Sequence, residues 1–127
     1  MRPKKNVLTD LELEIMKVIW RREKVTVREV YEEMLPQRKI AYTTVMTMIG
    51  ILERKGRLIK QETDRAYLYT PSEPRTEVVG SMVQDFLKRV FDGSAKPLLL
   101  HLIENQKISG EELDDIRKRV KDKRRKK

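Results

Sequence analysis

The chain has no cysteine and a single histidine, His101, and none of its apolar runs approaches the ~18 residues that a membrane-spanning helix needs. The first absence excludes disulfides and thiolate metal sites. The basic start over residues 1–5 leads into Leu8-Thr9-Asp10 with no apolar signal core. A cytoplasmic protein with no membrane insertion is therefore expected. Enzymatic chemistry finds little to work with. There is no phosphate-cradling glycine loop, no thiol nucleophile, and no imidazole outside the apolar C-terminal block to serve as a base. The adjacent acids Glu32-Glu33, Glu111-Glu112 and Asp114-Asp115 read as solvated surface charge, and His101 as a packed or exposed side chain rather than a ligand. No catalytic residue, metal site or cofactor is expected.

What the chain does have is charge. Its 127 residues carry 29 Lys+Arg against 20 Asp+Glu, a net +9, which suggests a polyanionic partner. The hydrophobic content of 39% allows a modest core. The charge is also divided unevenly. Residues 1–72 hold 15 basic and 10 acidic side chains (+5), residues 73–116 hold 5 and 9 (−4), and residues 117–127 hold 9 and 1 (+8). Phosphate would repel the middle block, which suits protein contact better. The final Arg117-to-Lys127 run reads as a disordered basic tail, an auxiliary phosphate clamp or a solvated helix end.

Leu8-Thr9-Asp10-Leu11-Glu12-Leu13 combines an N-cap Thr, a Glu three residues later and flanking leucines, so it predicts a helix start. Leu11, Ile15, Val18 and Ile19 share one face, with Trp20 adjacent, and carry this helix to about Glu23. Val25-Thr26-Val27-Arg28-Glu29-Val30 repeats the device for a shorter helix with Val27, Val30, Tyr31 and Met34 on one face, stopped by Pro36. A third helix ends at Gly56. Arg57–Glu62 and Ala66–Thr70 are β-prone runs around Thr63-Asp64-Arg65 and predict a hairpin. Three helices and a hairpin are the order of a winged helix-turn-helix, although the periodicity alone also fits a small α+β domain with no nucleic-acid role.

The third helix is the most informative segment. Val45, Met48, Ile49 and Leu52 fall at i, i+3, i+4 and i+7 and bury one face. The opposite face collects Thr43, Met46, Thr47, Gly50 and Arg54, nearly uncharged in a chain that carries charge elsewhere. Short hydroxyls and a glycine suit a helix seated in a DNA major groove, where Thr bonds a base edge or touches a thymine methyl. Thr is a poor helix former and a mid-helix Gly costs about 1 kcal/mol relative to Ala, so both invite an explanation outside the helix. Tyr42 and Tyr67 read either as phosphate donors or as core-edge aromatics. Arg28, Arg38, Lys39, Arg54, Lys55 and Lys60 are candidate phosphate neutralisers.

Pro71-Ser72-Glu73-Pro74 marks a boundary, dividing a DNA-binding domain over 1–72 from a helical region over 73–127. There Val78, Met82, Phe86 and Val90 form one row, and Val79, Val83, Leu87 and Phe91 a second, before Gly93-Ser94 breaks the helix. Pro97 is read as opening the next helix, with Leu98, Leu99, Leu100 and Leu102. Ile108-Ser109-Gly110-Glu111-Glu112-Leu113 caps a last helix with Leu113, Ile116 and Val120 inward. So one-sided a helical set needs a partner: it can fold back on the N-terminal domain, but pairing with a second copy buries more surface and supplies the two-fold symmetry that doubles a DNA contact. Val79, Met82, Val83, Phe86, Leu87, Val90, Leu99, Leu102, Leu113 and Ile116 are the candidate dimerisation residues.

Leu8-Thr9-Asp10-Leu11-Glu12, Ile15-Met16, Ile19-Trp20, Thr26-Val27-Arg28-Glu29-Val30 and Ala41-Tyr42-Thr43-Thr44-Val45-Met46-Thr47 resemble the penicillinase and methicillin-resistance repressors of BlaI/MecI type, whose relatives include the copper-responsive CopY repressors. The resemblance runs from about Val7 to Val120. It implies a mainly α fold with a small β hairpin, a winged helix followed by a helical dimerisation domain. It also implies a homodimeric transcriptional repressor on an inverted-repeat operator, relieved when a membrane sensor protease triggers cleavage. In that family's third helix Thr43, Thr44 and Thr47 occupy base- and phosphate-contacting positions, and Met46 stands where some members have a basic residue. Apolar contact with thymine methyls is then favoured over guanine readout. Arg65 matches the wing position beside the minor groove or its phosphates. The cleavage bond would fall at His101-Leu102, where some repressors have Asn-Phe. The copper sensors' cysteine cluster is missing, which excludes thiolate copper sensing.

Two other function classes remain open on the residues. One is a winged-helix protein–protein interaction module that meets nucleic acid nonspecifically through its basic tail. The other is a nonspecific, chromatin-type binder with no preferred sequence.

Overall fold

The computed structural model describes residues 8–125; the basic start over 1–5 and the last two lysines of the tail lie outside the described residues. The elements run α1 (Asp10–Arg22), α2 (Val27–Met34), α3 (Tyr42–Arg54), β1 (Leu58–Glu62), β2 (Tyr67–Pro71), α4 (Arg75–Phe91), α5 (Ala95–Glu104) and α6 (Gly110–Arg125). This is the mainly helical architecture with one hairpin that the sequence implies. Packing divides it into two compact units, residues 1–83 and 84–127. The first unit therefore continues past the Pro71–Pro74 break and into α4.

Local capping sets where α1 and α2 begin. The Thr9 Oγ1 accepts from the Glu12 amide at 3.2 Å while Glu12 Oε1 accepts from the Thr9 amide at 2.8 Å; Thr26 and Glu29 repeat the exchange at 3.1 and 2.8 Å. Each box satisfies two amides that helix geometry leaves without a partner. Gly56, at φ 80°, turns the chain from α3 into β1 through a left-handed conformation that a side chain would strain.

The core of the first unit gathers Ile15, Met16 and Ile19 of α1, Val30 and Met34 of α2, Val45, Ile49 and Leu52 of α3, Leu58 and Tyr69 of the hairpin, and Val78 of α4. The strands pair antiparallel in the register Leu58↔Pro71 to Glu62↔Tyr67. Val25 adds a bridge to Tyr69, with amide-to-carbonyl distances of 3.1 and 2.8 Å. The segment after β2 is pinned. Trp20 Nε1 donates to the Glu73 carbonyl at 3.1 Å, and the buried Arg57 donates to the Glu73 carboxylate at 2.9 Å.

The second unit is built differently. Ser109 and Glu112 cap α6 reciprocally, at 2.8 and 3.1 Å, as the sequence predicts. However, α5 starts at Ala95, two residues before the expected Pro97, which sits in the first turn where its missing N–H leaves no bond unmade. Among the described residues of this unit none is buried. Phe86 and Phe91 meet edge-on at 5.8 Å, but Val90, Leu99, Leu100, Ile116 and Val120 stand exposed. The inward orientation expected for Ile116 and Val120 is thus not met within one chain; Leu113 is half-buried.

Candidate nucleic-acid interface

α3 separates its two faces cleanly. Val45, Ile49 and Leu52 are fully buried, whereas Thr43, Thr44, Met46 and Thr47 are exposed, Met46 at 49%. A methionine and three threonines are thereby held on a rigid helix with nothing from their own unit over them. Gly50 lies between the two faces, and a Cβ there would meet only Arg54 Nη1, at 4.0 Å. The packing of the free protein does not require that glycine. Unlike α1, α2 and α6, α3 starts on Ala41 with no side-chain cap, so its positive helix end is not satisfied by a neighbouring side chain.

Aromatic contacts shape the start of this helix. Tyr42 packs edge-on against Tyr31, with centroids 5.5 Å apart, and the Arg28 guanidinium lies 5.5 Å over the Tyr42 ring. Arg28 also approaches Glu32 at 3.9 Å. Tyr42 therefore serves as a platform that holds Arg28 beside the first turn of α3, a role that neither sequence reading of this tyrosine contained.

On the hairpin, Lys60 Nζ sits 4.4 Å over the Tyr67 ring and 3.9 Å from Glu53. Thr63 closes the turn: its amide donates to the Ala66 carbonyl at 3.0 Å and its hydroxyl to the same oxygen at 2.6 Å. That turn carries Arg65 exposed at the tip. Neither Arg65 nor Arg54 has an ion-pair partner among the described residues.

Two candidate phosphate neutralisers are otherwise engaged. Lys55 Nζ binds Glu12 Oε2 at 2.7 Å, and that carboxylate is only 1% exposed. Burial pushes the Glu12 carboxyl up, but the Lys55 ammonium and the Thr9 amide outweigh it and leave the acid below its ordinary range. Lys55 is therefore a structural counter-ion, since withdrawing it would leave a buried charge unpaired. Arg38 pairs with Glu14 of α1. Only the Thr9 half of this was legible, because Glu12 and Lys55 are 43 residues apart. Arg28, Arg54, Lys60 and Arg65 are left as cations on α3 and its neighbouring elements, with Lys39 exposed between α2 and α3, while His101 and Leu102 lie within α5 of the second unit, His101 exposed and Leu102 half-buried.

A helical pair, α2 and α3, bracketed by α1 and a two-stranded wing is the winged-helix arrangement. The family model described as penicillinase repressor matches residues 8–122. The chain belongs to the penicillinase repressor family. It is similar to the transcriptional regulator BlaI of Mycobacterium tuberculosis, 37% identical over 113 residues that cover 87% of this chain and 80% of the relative. A penicillinase repressor of Bacillus licheniformis is 31% identical over 109 residues, covering 86% and 85% of the two chains. The solution structure of monomeric Bacillus licheniformis BlaI in complex with the blaP half-operator matches with a TM-score of 0.51 at 32% identity, covering 58% of this chain and 90% of that one. Among the described residues no helix is long and apolar enough to cross a membrane.

Proposed function

We propose that the protein is a sequence-specific repressor of transcription that binds double-stranded operator DNA as a homodimer, with residues 1–72 making the DNA contact and residues 73–127 the self-association. The observation that carries this reading is the uncovered outer face of α3. Thr43, Thr44, Met46, Thr47 and Gly50 offer hydroxyls, a soft apolar side chain and a close backbone approach, the complement of a groove floor edged with thymine methyls. Arg28, Arg54, Lys60 and Arg65 supply phosphate neutralisation, with Tyr42 placing the first of them. The half-operator complex of the Bacillus licheniformis relative, at 32% identity to this chain, supports a contact with operator DNA.

The exposed apolar rows of α4, α5 and α6 support pairing with a second copy, which would set two α3 helices on an inverted repeat. The protein acts in the cytoplasm, without catalysis of its own. Repression is relieved by cleavage at His101-Leu102 under control of a membrane sensor protease. That bond lies inside α5, so its cleavage requires local opening of the helix.

Footprinting on promoter fragments tests the reading: a protected inverted repeat is expected. Thr44→Ala and Thr47→Ala should each weaken specific binding by about 1–3 kcal/mol, and Arg65→Ala should weaken all sequences alike. Unchanged affinity in all three variants would remove the groove assignment.

A further inference from the structure

α6 changes character along its length. Its first turns carry Glu111, Glu112, Asp114 and Asp115 together with the apolar row Leu113, Ile116 and Val120. That row ends at Val120, and four residues on, the same face carries Arg124. The helix nevertheless continues to Arg125, so this stretch is not the disordered tail that the sequence left open. Between Arg117 and Arg124 it bears Arg117, Lys118, Arg119, Lys121, Lys123 and Arg124 against the single acid Asp122. At about 100° per residue these cations point to nearly every side of the helix rather than to one face.

Internal compensation is slight. Of these six cations only Arg119 has an ion-pair partner among the described residues, Asp115 at 3.2 Å, and both side chains are well exposed. The helix dipole offers about half a negative charge at this end, enough to stabilise one or two of them. At a rise of 1.5 Å per residue, six cations over this span amount to about one per 2 Å, a charge density of the same order as that of phosphates along a DNA duplex.

We propose that the end of α6 is a second, sequence-independent binding element for the phosphate backbone of duplex DNA, adding electrostatic affinity to the specific contact made through α3. The inference rests on the reading that the chain binds DNA. A protein partner fits less well, because interface centres favour aromatic side chains and disfavour Lys. Single-stranded nucleic acid fits less well too: α6 carries no aromatic residue on which a base could stack, and from Asp92 to the C-terminus there is no Phe, Tyr or Trp. Tethering on one chain raises the local concentration of the cationic helix around DNA already held by the other unit.

The test compares the full-length chain with a variant carrying Lys118→Gln, Lys121→Gln, Lys123→Gln and Arg124→Gln, and with a chain ending at Val120. Binding is measured on a random-sequence duplex, its single strand and the footprinted operator from about 50 to 200 mM salt. Each cation that neutralises a phosphate contributes about 0.9 to the slope of log affinity against log salt, so both variants should bind random duplex about tenfold to a hundredfold more weakly at low salt, with a slope shallower by about two to four. Their ratio of operator to random affinity should hold or rise. Equal slope and affinity in all three chains would overturn the proposal, as would a wild-type preference for the single strand that vanishes in both variants. If the wild-type chain shows no operator preference while the variants still lose duplex affinity, the repressor reading falls and the cationic helix stands.

Discussion

Between Leu8 and Val78 the chain fully buries Ile15, Ile19, Val25, Val30, Val45, Ile49 and Leu52, whereas from Gln84 to Arg124 it buries no described side chain and leaves Phe86, Val90 and Leu100 between 40 and 51% exposed. Both regions are helical and amphipathic, and both use reciprocal capping. They differ in closure. The first unit turns three helices and a hairpin around one interior, so each apolar face finds its partner on the same chain. The second has the end of α4, α5 and α6, whose apolar rows outnumber the surfaces available to cover them. Burial of apolar area stabilises by roughly 25 cal/mol per Å², so rows left open in one chain are a strong drive for association. Met82 shows the transition: counted among the dimerisation residues from its row, it packs against the core of the first unit.

The largest expected effect breaks the contrast at the open face. Phe86→Glu combined with Val90→Glu should abolish self-association in sedimentation and lower operator affinity by about a hundredfold or more, the loss of a second linked site. Melting of the first unit should stay in place. A variant that remains dimeric would mean that the two units do not divide the work in this way.

A smaller effect probes the closed unit. Glu12→Ala removes a capping box and the buried partner of Lys55, and should cost about 1–3 kcal/mol in denaturant titration, equally at every protein concentration. Because the folded-state carboxyl is held below its ordinary value of 4.5, its contribution is complete above that value and is lost as pH falls through the lowered one. Stability of the wild-type chain should decline below about pH 4.5 more steeply than that of the variant; parallel acid profiles would contradict the ion pair as a source of stability.

The smallest effect separates fold from use. Gly50→Ala adds a Cβ that meets only Arg54 Nη1, at an ordinary contact distance of 4.0 Å, and should raise the stability of the first unit by about 0.5–1 kcal/mol while weakening DNA binding. Simultaneous gain in stability and in affinity would show that the glycine is not kept for close approach.

Much of this was legible because it is local. Thr9 with Glu12 and Thr26 with Glu29 interact three residues apart, and the faces of α3 follow from a period of 3.6, so a short window contains all the physics involved. Gly56 likewise announces the end of α3 through the conformation it alone adopts without strain. Contacts between distant positions left no such mark. The Val25 bridge to Tyr69, the Trp20 bond to Glu73 and the Arg28 stack on Tyr42 join residues whose types suit many other partners.

From the order of its residues alone the chain determined its helices, most of their caps, its hairpin and which side of each helix is apolar, since these depend on side-chain periodicity and on neighbours within one or two turns. Only the tertiary structure decided which cations remain available. It spent Lys55 on Glu12 and Arg38 on Glu14, and left Arg54 and Arg65 without ion-pair partners among the described residues, because the pairing of charges depends on distances through space that sequence separation does not encode.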